Sequence, residues 1–165
     1  MRKLAYTPES LADFLAAGLR EALERGPRAS LAVSGGRTPE AVFPLLAQAE
    51  LPWERVFITL TDERWLPPDH PGSNEGLAKR LLLQGNAFKA QFVGLWCPDL
   101  SPVEALPVTE LKLAQMPWPL DVLFLGMGGD GHIASLFLGD PALEAVTGLV
   151  TQAHGPAPYP DRITL

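Results

Sequence analysis

Residues 121–137 read DVLFLGMGGDGHIASLF. After Asp121 the run VLFL is wholly apolar and lacks the in–out alternation of a strand with one wet face. A strand of that kind is covered on both sides. VFITL within RVFITL (55–60) has the same character. Doubly covered strands belong to parallel sheets with helices on their faces. Directly after the strand, four glycines fall within residues 126–131, framing Asp130 and leading into His132. A plain turn needs one or two glycines. This loop is read as bringing backbone close to a ligand.

The rest of the chain alternates in step with that reading. TPESLADFLAAGLREALER (7–25) is an amphipathic helix with Leu11, Phe14, Leu15, Leu19 and Leu23 on one face. Thr7 suits its cap, Pro8 its first turn and Gly26 its end. SLAVS (30–34) is a strand, and a helix is expected from Pro39 to about Ala49. RVFITL is the second strand, and a helix follows from Ser73 to about Gln84. QFVGLW (91–96) is the third strand. SPVEALPVTELKLAQ (101–115) is helical, interrupted at Pro107, with Ser101 and Glu104 at capping-box spacing. DVLFLG is the fourth strand. PALEAV is a short helix, GLVTQA a fifth strand and RITL the start of a sixth. The fold class is therefore α/β: one domain over residues 1–165, with a Rossmann-like, mostly parallel sheet and helices on both faces. Ligands of such sheets bind beyond the carboxyl ends of the strands.

Composition limits the function. With 165 residues, 47% apolar and 19% charged, the chain can bury one proper core. No apolar stretch approaches the ~20 residues of a membrane span. The start, MRKLAYTPES, lacks the apolar centre of a signal peptide. A net charge of −6 disfavours nucleic acid. The single cysteine, Cys97, forms no internal disulfide and reads as a small buried hydrophobe. These features place the protein in the cytoplasm. There is no CxxC and no HExxH, and the histidines at 70, 132 and 154 are too widely spaced for a zinc site.

Three polar loops share the carboxyl edge. In SGGRTPE (34–40), Gly35 and Gly36 precede Thr38, expected as N-cap, and Pro39. This is a seat for a phosphate or carboxylate, or else a tight turn with a capped helix. TDERWLPPDHPGSNEG (61–76) places Asp62, Glu63 and Arg64 at a strand end, as a solvated turn or as part of the crevice. Arg64 offers a planar fork suited to phosphate. His70, in a proline-rich loop, reads as a surface or structural histidine. In the third loop the glycine amides are free to face a developing oxyanion. There His132 is an acid–base candidate and Asp130 a carboxylate able to fix its tautomer. Ser135 lies outside any GxSxG elbow. Spacing and composition lead to a site for a small phosphorylated molecule with an acid–base histidine.

SGGRTP (34–39), TDERWLPPDHPGSNEG (61–76) and GMGGDGHIASLF (126–137), in this order, resemble the 6-phosphogluconolactonase family, within a larger group that includes glucosamine-6-phosphate deaminases. The resemblance runs over essentially the whole chain. It implies hydrolysis of 6-phospho-D-glucono-1,5-lactone, the second step of the oxidative pentose phosphate pathway, with no cofactor and no metal. His132 would activate water and Asp130 would orient it. Arg64 would bind the phosphate, and Gly35, Gly36 and Thr38 would line the sugar-phosphate site. Asp62, Gly128, Gly129 and Gly131 complete the expected substrate-binding set, Asp62 as a shaping residue. The expected partner is a small phosphorylated sugar lactone, with no nucleic acid and no membrane, on a monomer or homodimer.

Rival readings stay in view. A deaminase or isomerase would use the aspartate at position 62 as a base. That branch typically carries a tyrosine where Arg64 stands and FNEP-like residues where SLFLG stands, so both departures point to the lactonase. Arg37 replaces a small residue, and no role is carried onto it. Lactonases of this family continue past the RITL strand and carry a phosphate-binding lysine. Lys3, Lys79, Lys89 and Lys112 match no such position. The chain is therefore expected to be shortened at its C-terminus. Its open strand edges would then weaken binding or pair two copies, and a non-catalytic sugar-phosphate-binding domain is the third reading.

Overall fold

In the computed structural model, which describes residues 6–145 and 147–165, Thr7 opens the first helix, α1, Pro8–Arg25. Its hydroxyl accepts from Ser10 N at 3.1 Å, and the Ser10 hydroxyl accepts the Thr7 amide at 3.0 Å. This reciprocal cap satisfies donors that a helix start leaves unpaired. Leu15, Leu19 and Leu23 are buried as expected, but Phe14 is 66% exposed. The buried stripe is set by Ala12, Leu15, Ala16, Leu19, Ala22 and Leu23. Phe14 lies two residues from both Ala12 and Ala16, roughly 200° round the helix from each.

The chain continues through β1 (Ala29–Val33), α2 (Arg37–Leu46), β2 (Val56–Leu60), β3 (Asp62–Arg64), α3 (Asn74–Leu81) and β4 (Gln91–Val93). Then come α4 (Pro102–Leu113), β5 (Val122–Phe124), β6 (Thr151–His154) and β7 (Asp161–Thr164). The expected helix PALEAV is a short 3-10 turn, Pro141–Glu144. Its last residue, Val146, lies outside the described residues, as do Met1 to Ala5 with Lys3. Among the described residues no helix is long and apolar enough to cross a membrane.

Four strands form the parallel sheet, in the order β4-β2-β1-β5. Every residue of β1 and β2 is buried, so both faces are covered. The order reverses at β1, with β2 on one side and β5 on the other. The loops leaving β1 and β5 therefore diverge there and leave a crevice. The covering on both sides expected of VLFL is not found: among the described residues β5 is an edge, with Leu123 in it 52% exposed and Leu125 just after it 37% exposed.

Several elements depart from the sequence reading. β6 and β7 do not extend the parallel sheet. They join a second, antiparallel sheet in the order β3-β7-β6. The third member is DER, expected as a loop and found as a strand with Asp62 and Glu63 buried. Thr61 makes the junction. Its amide donates to Val33 O at 2.9 Å as the last rung of the first sheet, and its carbonyl accepts from Leu165 N at 2.9 Å in the second. α4 is not interrupted by Pro107. The carbonyl that loses its donor belongs to Val103, whose side chain is 54% exposed, so water can serve it. α3 stops at Leu81: Leu83 N donates back to Ala78 O at 2.9 Å, and Lys79 O, left without that amide, accepts the Gln84 side-chain amide at 2.7 Å. α2 starts one residue before Thr38, with Gly36 as N-cap, so Thr38 lies inside the first turn and caps nothing.

Candidate active site

The three strand ends are tied together first by small hydroxyls. Ser34 Oγ pairs with Thr61 Oγ1 at 2.8 Å and accepts from Gly126 N at 3.2 Å. These bonds draw the ends of β1, β2 and β5 to one point. Asp62 extends the network. Its Oδ1 accepts from Thr61 Oγ1 at 3.2 Å and its Oδ2 from Ser135 Oγ at 2.6 Å. Its carbonyl accepts from Asn74 Nδ2 at 2.8 Å. Asp62 thus lies in the wall of the site with its carboxylate already engaged by protein donors.

The cleft above this network holds about 280 Å³. The loop after β1 contributes Gly35, Gly36, Arg37 and Thr38; β3 contributes Asp62 and Arg64, with Asn74 beside them. The loop after β5 contributes Gly126, Met127, Gly128, His132 and Ala134, and β7 contributes Arg162. No side chain caps α2, so the Arg37 and Thr38 amides have no intrahelical partner at a positive helix end. Arg64 Nη1 donates to Gly72 O at 2.7 Å and Asn74 Oδ1 at 3.2 Å, while its Nε is buried without a partner.

His132 stands at the edge of the cleft with its side chain 28% exposed. Its Nδ1 lies 2.5 Å from Asp130 Oδ1. That contact assigns the proton to Nδ1 and leaves Nε2 as the basic nitrogen. The same bond holds the Asp130 carboxyl below the usual carboxylate range. The Phe137 ring lies 4.4 Å from the imidazole, centroid to centroid, and fixes its plane.

Gly35, Gly36, Thr38, Asp62, Arg64, Gly128 and His132 all line one cleft, while Asp130, Gly129 and Gly131 do not. Asp130 reaches His132 from the exposed tip of the loop. Two of the amides expected to face an oxyanion are not free for it. Gly128 N donates to His132 O at 2.8 Å and Gly131 N to Gly128 O at 3.0 Å, so both are used to fold the loop. What Gly128 supplies is space, because a Cβ there would collide with the His132 ring. Gly35 is small for a similar reason: its Cβ would collide with the Asn74 amide. Gly35→Ala is therefore expected to displace Asn74 from Arg64. Affinity for inorganic phosphate, measured by calorimetry, should fall about tenfold, the loss of one charge-assisted hydrogen bond.

Several site residues had no role in the sequence reading, among them Asn74, Phe137 and Arg162. Another is Glu63, which is fully buried and accepts four hydrogen bonds. Arg64 N and Asn74 N donate to Oε1, both at 2.8 Å; Ser73 Oγ at 2.9 Å and Glu75 N at 2.7 Å donate to Oε2. The carboxylate closes the start of α3. The available signal was alternation: in a strand, Asp62 and Arg64 share one face and Glu63 takes the other. His70 is structural, its Nδ1 accepting from Gly72 N at 3.0 Å. Cys97 is buried, as expected.

Comparison with known proteins bears on this geometry. The family model described as glucosamine-6-phosphate isomerases/6-phosphogluconolactonase matches residues 4–165. A protein named 6-phosphogluconolactonase from Pseudomonas aeruginosa is 48% identical over 140 residues, covering 85% of this chain and 59% of its own. One of the same name from Mesorhizobium japonicum is 38% identical over 164 residues, covering 94% and 68%. The crystal structure of a 6-phosphogluconolactonase from Shewanella baltica superposes with a TM-score of 0.92 at 38% identity, covering 98% of this chain and 72% of that one. The chain thus spans about three fifths of the length of the Pseudomonas relative.

Proposed function

Because the chain belongs to the glucosamine-6-phosphate isomerase/6-phosphogluconolactonase family, we propose that it hydrolyses 6-phospho-D-glucono-1,5-lactone to 6-phosphogluconate, the lactone-opening step of the oxidative pentose phosphate pathway. The observation that carries this reading is the meeting of His132, backed by Asp130, with Arg64 and the open start of α2 in one cleft. His132 Nε2 takes a proton from water as the oxygen attacks the lactone carbonyl. The resulting imidazolium then protonates the ring oxygen as the C–O bond breaks. Asp130 holds the ring and offsets its charge. Arg64 and the Arg37 and Thr38 amides bind the phosphate. The product acid ionises, so each turnover releases one proton.

Proton release from fresh lactone, corrected for spontaneous opening, tests this reading. Acceleration by the 165-residue chain supports it; a rate equal to the uncatalysed one sinks it. The deaminase alternative needs Asp62 as a base, and the engagement of that carboxylate by Ser135 and Thr61 weighs against it. Ammonia release from glucosamine 6-phosphate would reverse the preference. We place the enzyme in the cytoplasm, as a monomer or as a homodimer joined along β5. Sedimentation tests the joined form: Leu123→Lys should dissociate any dimer built on that edge.

A further inference from the structure

Arg64 and Arg162 stand directly opposite each other in the antiparallel pairing of β3 with β7. Cross-strand partners project from one face of a sheet, and like charges so placed repel. Water does little to relieve this pair, because Arg162 is only 8% exposed and Arg64 is half-buried. The charge around them is unbalanced. Asp62 is the carboxylate lining their cleft, with Oδ2 3.8 Å from Arg162 Nη1, and that oxygen already takes the Ser135 hydroxyl. Glu63 alternates to the opposite face and is saturated by its own donors. Arg37 adds a third guanidinium to the cleft lining. Arg64 Nε is buried with no partner. Among the described residues, Nη2 of neither Arg64 nor Arg162 makes a hydrogen bond within the protein. Burial, and then the charge of Arg64, push the Arg162 guanidinium down from its ordinary range.

Two guanidiniums carried by cross-strand partners into the lining of one cleft, with a single carboxylate beside Arg162 and unused donors, form a receptor for a dianion. We propose that Arg162 is the second arm of a phosphate clamp, gripping the substrate's phosphate together with Arg64. The proposal rests on the lactonase reading and assigns the residue that reading leaves without a role. A competing role would place Arg162 on the oxyanion formed at the lactone carbonyl. The two roles separate kinetically: a phosphate arm acts on KM and product affinity, an oxyanion donor on kcat.

The test is calorimetric titration of the full 165-residue chain with 6-phosphogluconate and with gluconate, which lacks the phosphate, alongside lactone hydrolysis. Arg162→Gln is expected to weaken 6-phosphogluconate about 10–100-fold, the value of a lost charge-assisted pair, while leaving the weak affinity for gluconate unchanged. KM should rise by a similar factor, with a much smaller change in kcat. Arg162 also donates to Tyr159 O at 3.2 Å, and its Nε–H and packing help hold β7. Arg162→Lys, which keeps a cation beside Asp62 but loses the fork, therefore provides a second variant. It should retain the fold and still lose 5-fold or more of the 6-phosphogluconate affinity. Unchanged 6-phosphogluconate affinity in both variants, equal loss of gluconate, or a fall in kcat at constant KM would each overturn the clamp. If the unmodified chain still hydrolyses lactone in those cases, the functional reading survives without it. If the unmodified chain neither hydrolyses lactone nor binds 6-phosphogluconate, both fall together.

Discussion

His132→Ala is expected to reduce the chain's acceleration of lactone opening by about 10²–10⁴-fold, the range for removal of a general base. Binding of 6-phosphogluconate should persist, because the proposed phosphate contacts, Arg64 and the start of α2, lie on other elements of the cleft. Asp130→Asn should have a smaller effect. Its carboxylate is 64% exposed, so water screens its charge and the pair is worth much less than a buried one. A loss of about tenfold is expected, because the ring loses its orienting partner and not the base itself. The size of the loss separates the two roles. The His132 bond holds the Asp130 carboxyl below the usual carboxylate range, so the orienting carboxylate stays ionised at neutral pH. A His132→Ala chain as fast as the unmodified one would remove the base from the mechanism, and an Asp130→Asn loss as large as that of His132→Ala would make the carboxylate more than an orienting partner.

The parts of this site that can be read from sequence share one property: their signal is local. VFITL announces a doubly covered strand in five residues, and VLFL announces a strand of the same sheet, although Leu123 on β5 is 52% exposed. Gly35, Arg64 and His132 are legible because glycine and charge follow directly after such strands. The second sheet is not legible in this way. β3 is three charged residues long, and its period-2 alternation is too short to distinguish from a solvated turn. Its partner β7 arrives about a hundred residues later, so the Arg64–Arg162 pairing has no trace in either segment alone. Phe14 misled because an apolar residue beside a leucine stripe need not lie within it. The glycine loop misled in the opposite direction: its abundance of amides suggested an anion nest, but the loop bonds two of them to itself and uses Gly128 as clearance for a histidine ring.

Glu63 is where the largest loss of stability is expected. Burial pushes its carboxyl up to about 7, while the amides of Glu75, Asn74 and Arg64, the Ser73 hydroxyl and the start of α3 all favour the ionised form. Glu63→Gln replaces one accepting oxygen with a donor. Whichever way the amide turns, it meets a backbone N–H: Glu75 N on one side, Asn74 N and Arg64 N on the other. A buried donor left unpaired costs about 1–3 kcal/mol, and the opposed N–H groups repel, so roughly 2–4 kcal/mol should be lost in urea unfolding at neutral pH. The sign of the pH dependence follows from the raised value. Between the ordinary 4.5 and about 7 the folded chain holds this proton more tightly than the unfolded chain. The contribution is therefore full below 4.5 and is lost as pH rises through about 7, a difference of about 3 kcal/mol at 1.36 kcal/mol per pH unit. The glutamine variant lacks that slope, so its deficit against the unmodified chain should widen on acidification from pH 7.5 to 5. Equal deficits at both values would mean that Glu63 does not titrate in this window. The same substitution should also loosen Asn74, which carries the 3.2 Å bond to Arg64. KM should then rise more than kcat falls, because Glu63 supports Arg64 and Asn74, where the phosphate is proposed to bind, and His132 stands on the other loop.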